Sequence, residues 1–446
     1  MTVAGQPTVN YTYDDTNRLT QITQGAATVV IGYDNANRRT SLTLPNGVLV
    51  EYGYDQASRL TSINYSLGGT PLGNLTYEYD KAGNRTKVGG SWARTALPAA
   101  VTAGTYDAAN RTSSFGGQAI TYDNNGNITS FGADMYSWNA RNQLSTISGG
   151  ASATFVYDGL GRRMQKTIGA APTEFLYDGV NPVQEKDGGT VLANILTGLG
   201  VDEYFTRSIP STPTETRHLL ADALGSTVAL TNDTGAAQTQ YTYEPFGKTT
   251  VTDSPSTNSF QFTGRENDGT DLYYYRARYY HPILQRFISE DPILHAGNPN
   301  VPYMVLTLLR EPADLHGYAY VNNSALNFTD PLGLLEKCIP WLSRQEFEGR
   351  GSLFWRLRSV QRIKNIPFSP ATCWWDLVQP GYNITIPQKR CFDTCNPRKG
   401  FYRIDDPAGL RTYELAERII RSQSNYASII LPAPGMTGDI AICEPP

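Results

Sequence analysis

Tyr13–Thr23 reads YDDTNRLTQIT, and Tyr54–Asn64 reads YDQASRLTSIN. The same Tyr-Asp opening stands at Tyr33-Asp34, Tyr79-Asp80, Tyr106-Asp107, Tyr122-Asp123, Tyr157-Asp158 and Tyr177-Asp178. Tyr136-Ser137-Trp138-Asn139 fills the slot between the sixth and seventh copies, and most copies continue Y-D-x-x-x-R. Self-similarity at a near-regular period marks a fold built of stacked units. Ahead of each Tyr the chain alternates, as in Tyr11-Thr12-Tyr13 and Tyr52-Gly53-Tyr54, with the period of two expected of a strand. The Asp and the Asn, Gly or Ala residues after it supply turn chemistry, the Asx side chain bonding to backbone two residues on. The Arg then begins a returning strand rich in Thr and Ile. One hairpin of this size is unstable alone, so the copies are expected to share a continuous sheet.

Composition agrees with a mainly β chain. Among 446 residues there are 28 Tyr, 41 Gly and 27 Pro, and only 17% are charged. That mixture favours short strands and tight turns and argues against a coiled coil or helical bundle. A formal net charge of −4 offers no global basic field for nucleic acid. No stretch approaches the roughly 18 apolar residues of a membrane span. Met1–Asn10 has neither the basic start nor the apolar run of a signal peptide.

The repeats resemble the YD repeats of the RHS family, shared by bacterial polymorphic toxins, the C component of insecticidal toxin complexes and the teneurins. Further segments carry the resemblance. Arg217-His218 with Asp222-Ala223-Leu224-Gly225-Ser226, and Tyr243-Glu244-Pro245-Phe246-Gly247, are similar to elements of that family. So are Phe262-Thr263-Gly264-Arg265, Leu272–Tyr280 (LYYYRARYY), Gln285–Pro292 (QRFISEDP) and Tyr318–Leu334. The resemblance covers residues 11–334. It implies a YD-repeat β-hairpin spiral over residues 1–260, forming part of a hollow shell, and an RHS-associated core domain over 261–334 that plugs it. Read without the family, His218 and Asp222 suit a hairpin turn better than a metal pair. The RARYY stretch suits packing within a sheet better than base stacking.

In that family two Asp-Pro-x-Gly motifs are credited with aspartyl autoproteolysis, which releases the segment after the second. Asp330-Pro331-Leu332-Gly333-Leu334 matches the second motif, whereas Asp291-Pro292-Ile293-Leu294 has Leu where Gly is usual. The segment between them is expanded by residues 300–314. The chemistry needs two carboxylates close enough to share a proton, one polarising the scissile carbonyl and one activating water. Asp291 and Asp330 are the expected pair, Arg286 the expected cation beside them, and Leu334–Leu335 the expected cut. The competing reading is that each Asp-Pro only starts a turn.

Composition changes after Leu334. All five Cys (Cys338, Cys373, Cys391, Cys395, Cys443) lie beyond it, and residues 335–446 carry 15 basic and 11 acidic side chains. A capping box at Ser343 and Glu346, helical spacing over 352–364 and 412–424, and strands near 382–386, 427–431 and 439–443 suggest a small α+β domain. This domain contains no His, which excludes His-based nucleases and His-Glu-x-x-His proteases. Three readings of the Cys stay open: disulfides, buried thiols, or a zinc site drawing on Cys373, Cys391 and Cys395. No cofactor is expected, and no metal outside that alternative.

The resemblance implies a shell that encloses, and releases by self-cleavage, its own C-terminal domain as an effector of unassigned activity. It further implies a secreted or cell-surface location, export by a specialised system and a matching immunity protein. The alternative is an extracellular YD-repeat protein serving adhesion or carbohydrate binding, without enzymatic cargo. With nine repeat slots the sequence suggests a partial shell, whose open sheet edges would invite aggregation.

Overall fold

The computed structural model describes residues 1–101, 104–109, 111–210, 214–292 and 316–334, together with the backbone of three strands, Ala371–Trp375, Gln388–Asp393 and Phe401–Asp405. Every pairing between the described strands is antiparallel, and nearly every strand pairs with its neighbours in sequence. Eight strands from Val9–Tyr13 to Arg85–Gly89 make one sheet, and sixteen from Thr105–Tyr106 to Thr249–Asp253 make a second. A four-stranded sheet follows, formed by Glu266–Asn267, Tyr273–Tyr275, Arg278–His281 and Arg286–Phe287.

Each letter of the repeat has a bond that accounts for it. In the first copy Asp14 Oδ1 accepts from the Thr16 and Arg18 amides, at 3.0 and 2.9 Å, and Asp14 Oδ2 accepts from Arg18 Nε at 2.6 Å. The turn closes when the Asn17 amide donates to the Asp14 carbonyl, with Asn17 at φ 59°. That left-handed position recurs as Asn37, Ser58, Gly83, Gly126, Asn142 and Gly161, which is why small or Asx residues precede the Arg. The Arg then reaches forward: Arg18 Nη1 donates to Asp34 O of the next copy, and its guanidinium lies 5.1 Å over the Tyr33 ring. The next Tyr reaches back, Tyr33 OH donating to Leu19 O, Tyr54 OH to Arg39 O and Tyr79 OH to Leu60 O. Trp138 serves the same slot through Nε1, which donates to Ile128 O. A register shift precedes the aromatic in each of these copies, for example at Thr12/Tyr13, Gly32/Tyr33 and Ser137/Trp138. Such bulges bend and twist a strand at every repeat.

The two large sheets are joined side to side. Arg39 pairs with Glu203 at 2.6 Å, Asn46 Nδ2 donates to Thr231 Oγ1 and Asn232 O, and Tyr65 OH donates to Ala221 O. The link from the first sheet runs back along the second, where the Ala96 amide donates to Tyr243 O. The four-stranded sheet is docked by burial. Leu272, Tyr274, Tyr279, Leu284 and Ile288 pack with Ile128, Tyr136, Leu144, Ile147 and Phe155 of the repeat strands.

Ion pairs lock that contact. Arg163, fully buried on a repeat strand, binds Glu266 and Asp268, and Lys166 binds Asp268 at 3.0 Å. Burial works against the Asp268 charge, but Arg163 and Lys166 outweigh it and hold the carboxyl below its usual range. His218 bonds to Asp233 at 3.1 Å, while Asp222 accepts the Leu224 and Ser226 amides. Both therefore serve hairpin turns, as the sequence reading favoured.

Residues 1–292 and 317–335 form one compact unit, and residues 293–316 and 336–446 a second. In the second, the three strands pair antiparallel in sequence order, with Cys373 opposite Cys391. The capping box, both helical segments, the strands near 382–386, 427–431 and 439–443, and Cys338, Cys395 and Cys443 lie outside the described residues.

Candidate active site

The hairpin Tyr273–Tyr275/Arg278–His281 turns over Arg276 and Ala277, with Arg276 at φ 62°. The second strand is buried on both faces, and the Arg278 side chain is 1% exposed, with its guanidinium 3.6 Å over the Phe287 ring. An apolar wall beneath a buried guanidinium leaves anionic groups as the natural partners for its charge. Two carboxylates answer. Arg278 Nη2 is 2.8 Å from Asp291 Oδ2 and 3.3 Å from Asp330 Oδ2, with the Asp residues 0% and 2% exposed. One buried nitrogen thus gathers both Asp-Pro motifs.

Backbone bonds fix each carboxylate. The Asp291 amide donates to Gly317 O at 3.0 Å, and Arg278 Nη1 donates to the same carbonyl at 2.9 Å. Asp330 opens a turn in which its Oδ1 accepts the Leu334 amide at 3.0 Å. The turn lies against the hairpin. The Ala277 amide donates to Leu332 O at 3.1 Å, Arg276 Nη1 donates to Pro331 O, and Arg278 Nε donates to Gly333 O. Gly333 has φ +67°, and a Cβ there would stand 2.2 Å from Tyr275 O, so the approach requires glycine.

The sequence-derived residues divide. Asp291 and Asp330 come together. Arg286 sits elsewhere, its Nη1 donating to Thr112 Oγ1 and its Nε to Leu284 O. The cation between the carboxylates is Arg278, which the sequence reading had absorbed into RARYY packing. Five residues of separation made Arg286 look close to Asp291, but its side chain is spent on the repeat strand. The signal that could have found Arg278 is a cationic residue opening the strand Arg278–His281, which is otherwise aromatic and pairs with the tyrosine strand Tyr273–Tyr275. Leu334 ends the described run, and Leu335, Leu294 and residues 300–314 lie outside it.

A buried pair of carboxylates on one guanidinium carries one negative charge more than its counter-ion when both are ionised. Like charges so confined favour retention of a proton by one of them. A paired acid and base is the constellation that carboxylate-catalysed hydrolysis requires. Among the described residues no group of His, Cys, Asp and Glu could hold a metal ion, and no helix is long and apolar enough to cross a membrane.

A family model described as teneurin YD-shell matches residues 48–325. A tRNA3(Ser)-specific nuclease, WapA of Bacillus spizizenii, is 28% identical over 279 residues, 58% of this chain and 11% of that protein. The toxin subunit YenC1 of Yersinia entomophaga is 30% identical over 144 residues, 30% of this chain and 15% of the subunit. The chain thus spans 11 to 15% of the length of these relatives. The TcdB2-TccC3-Cdc42 crystal structure shares the fold over 73% of this chain and 21% of its own, at TM-score 0.51 and 18% identity. A Photorhabdus luminescens Tc holotoxin pore structure does so over 75% of this chain and 21% of its own, at TM-score 0.51 and 17% identity.

Proposed function

The chain belongs to the teneurin YD-shell family and is an RHS-type shell fragment, and from that premise we propose that it walls in the segment following Leu334 and cuts it free at Leu334–Leu335. The observation that carries this reading is Arg278 between Asp291 and Asp330, with the Asp330 carboxylate on the Leu334 amide. In the reaction one carboxylate takes a proton from water, whose oxygen attacks the Leu334 carbonyl carbon, while the protonated partner donates a hydrogen bond to the carbonyl oxygen. The carbon–nitrogen bond breaks, the Leu335 nitrogen receives a proton, and the products are a Leu334 carboxylate and a Leu335 amine. Arg278 holds both carboxylates, whereas the sequence alone points to Arg286 as a residue holding an oxyanion or one carboxylate.

Residues 335–446 are the cargo in this reading. Their activity belongs to a target cell, reached through a specialised export system and countered in the producer by an immunity protein. The toxin-complex relatives support a toxin context of this kind.

The test is intact mass of the purified chain beside Asp330→Asn and Asp291→Asn. The reading expects wild type split after Leu334 and both variants whole. A single full-length mass for all three proteins removes self-cleavage and leaves a YD-repeat scaffold for adhesion or carbohydrate binding as the better account.

A further inference from the structure

Arg276 is set apart from the repeat arginines. It occupies a left-handed backbone position, at φ 62°, that a long side chain rarely takes. Its side chain is 13% exposed and makes contacts in two directions. Toward the repeat sheet it binds Asp202 with both terminal nitrogens, Nη2 at 2.6 Å from Oδ1 and Nη1 at 3.1 Å from Oδ2, and it donates to Val180 O at 3.1 Å. Toward the Asp330 turn it donates to Pro331 O. Asp202 is itself fixed: Arg265 donates to it, Tyr204 OH donates to it at 3.2 Å, and its amide donates to Asn181 Oδ1 at 2.9 Å. The forked pair is the geometry in which arginine loses least side-chain freedom per bond formed.

We propose that Arg276, seated on Asp202, is a positioning residue for self-cleavage: it sets which peptide bond meets the two carboxylates and ties the cut to a folded repeat sheet. The inference rests on the self-cleavage reading above. Three successive carbonyls of the turn, those of Pro331, Leu332 and Gly333, are held by Arg276, the Ala277 amide and Arg278 in that order. A segment gripped at three consecutive residues cannot slide by one residue without losing all three bonds. Two of the grips belong to the hairpin itself. The first is anchored outside it, on Val180 and Asp202 in turns between repeat strands. A repeat sheet unfolded around residues 180–202 therefore leaves the turn without its outermost grip. The influence of Arg276 on the turn passes through the Pro331 carbonyl it holds.

The experiment compares full-length wild type, Arg276→Met, Arg276→Lys, Asp202→Asn and Arg163→Met by intact mass over time, with thermal midpoints measured on cleavage-dead Asp330→Asn versions. Arg163→Met is the control, because Arg163 locks the small sheet to the repeats without touching residues 330–334. Arg276→Met and Asp202→Asn are expected to cut about tenfold slower or more, and to yield products displaced from Leu334, beyond what their thermal midpoints account for. Arg276→Lys is expected to recover part of the rate and the single product. Wild-type rate with a single Leu334 product in Arg276→Met overturns the inference and leaves the self-cleavage reading intact. So does a loss of rate that tracks thermal midpoint equally in Arg276→Met and Arg163→Met, with the cut position unchanged. An uncut wild type overturns the reading itself and this inference with it.

Discussion

Asp55 accepts the Ala57 and Arg59 amides on one oxygen and the Arg59 guanidinium on the other. Partial burial opposes its charge, but the Arg59 hydrogen bonds prevail and hold the carboxyl below its usual range. The copy at Trp138 shows what is indispensable. There Asn139 accepts the Arg141 and Gln143 amides, and its Nδ2 donates to Gln143 Oε1, with no charge involved. Hydrogen-bond geometry, more than the ion pair, therefore builds the turn, as expected of pairs this exposed. Asp55→Ala should lower stability by about 1–3 kcal/mol in chemical denaturation, since two amides lose their acceptor. The double replacement Asp55→Asn with Arg59→Gln should cost less than about 1 kcal/mol. Equal losses in the two proteins would assign the turn's stability to charge instead. The repeat letters were legible because each acts within its own turn or on the adjacent copy, so the same spacing recurs along the chain. Arg278 was not, because its role depends on Asp291 and Asp330, both brought to it by tertiary packing.

The strand Arg278–His281 ends on a buried histidine. His281 is buried, packs edge-on to Phe131 at 5.2 Å, and accepts the Leu284 amide on Nδ1 at 3.3 Å. Burial depresses its pKa from 6.5 to about 4. The folded protein thus keeps His281 neutral where the unfolded chain protonates it. Its contribution is complete above pH 6.5 and falls away as pH drops toward 4, by about 3 kcal/mol over the window. Burial also lowers the His218 pKa, against a smaller opposing effect of Asp233, which adds loss of the same sign. Thermal midpoints between pH 7 and 4.5 should decline less steeply in His281→Asn than in wild type. Parallel slopes would show that the small sheet opens before His281 charges. The sequence identified this stretch as a sheet segment from its β-formers. It could not reveal that His281 lies beneath a repeat strand.

Asn46 and Arg39 in the first large sheet bind Thr231, Asn232 and Glu203 in the second, joining repeats more than 160 residues apart. Burial disfavours the Arg39 charge, but Glu203 outweighs it and keeps the guanidinium firmly protonated. Asn46→Ala removes two donated bonds, one to the hydroxyl of buried Thr231 and one to Asn232 O, which keeps the Gly235 amide, a loss of about 1–2 kcal/mol. Hydrogen exchange should then rise together in Arg39–Thr43 and Thr227–Thr231. Faster exchange in only one sheet would mean that the two fold as independent layers.

The sequence by itself determined the repeat, its hairpins, the antiparallel order of strands and the two Asp-Pro motifs. Each of these is encoded by neighbours within about a dozen residues, where turn chemistry and alternation act directly. Tertiary structure decided which arginine joins the carboxylates, how Arg276 grips the Asp330 turn from Asp202, and where the two large sheets meet. Those contacts join residues 13 to more than 160 positions apart. Side-chain direction at such range is set by strand alternation, bulges and burial acting together, which no local pattern records.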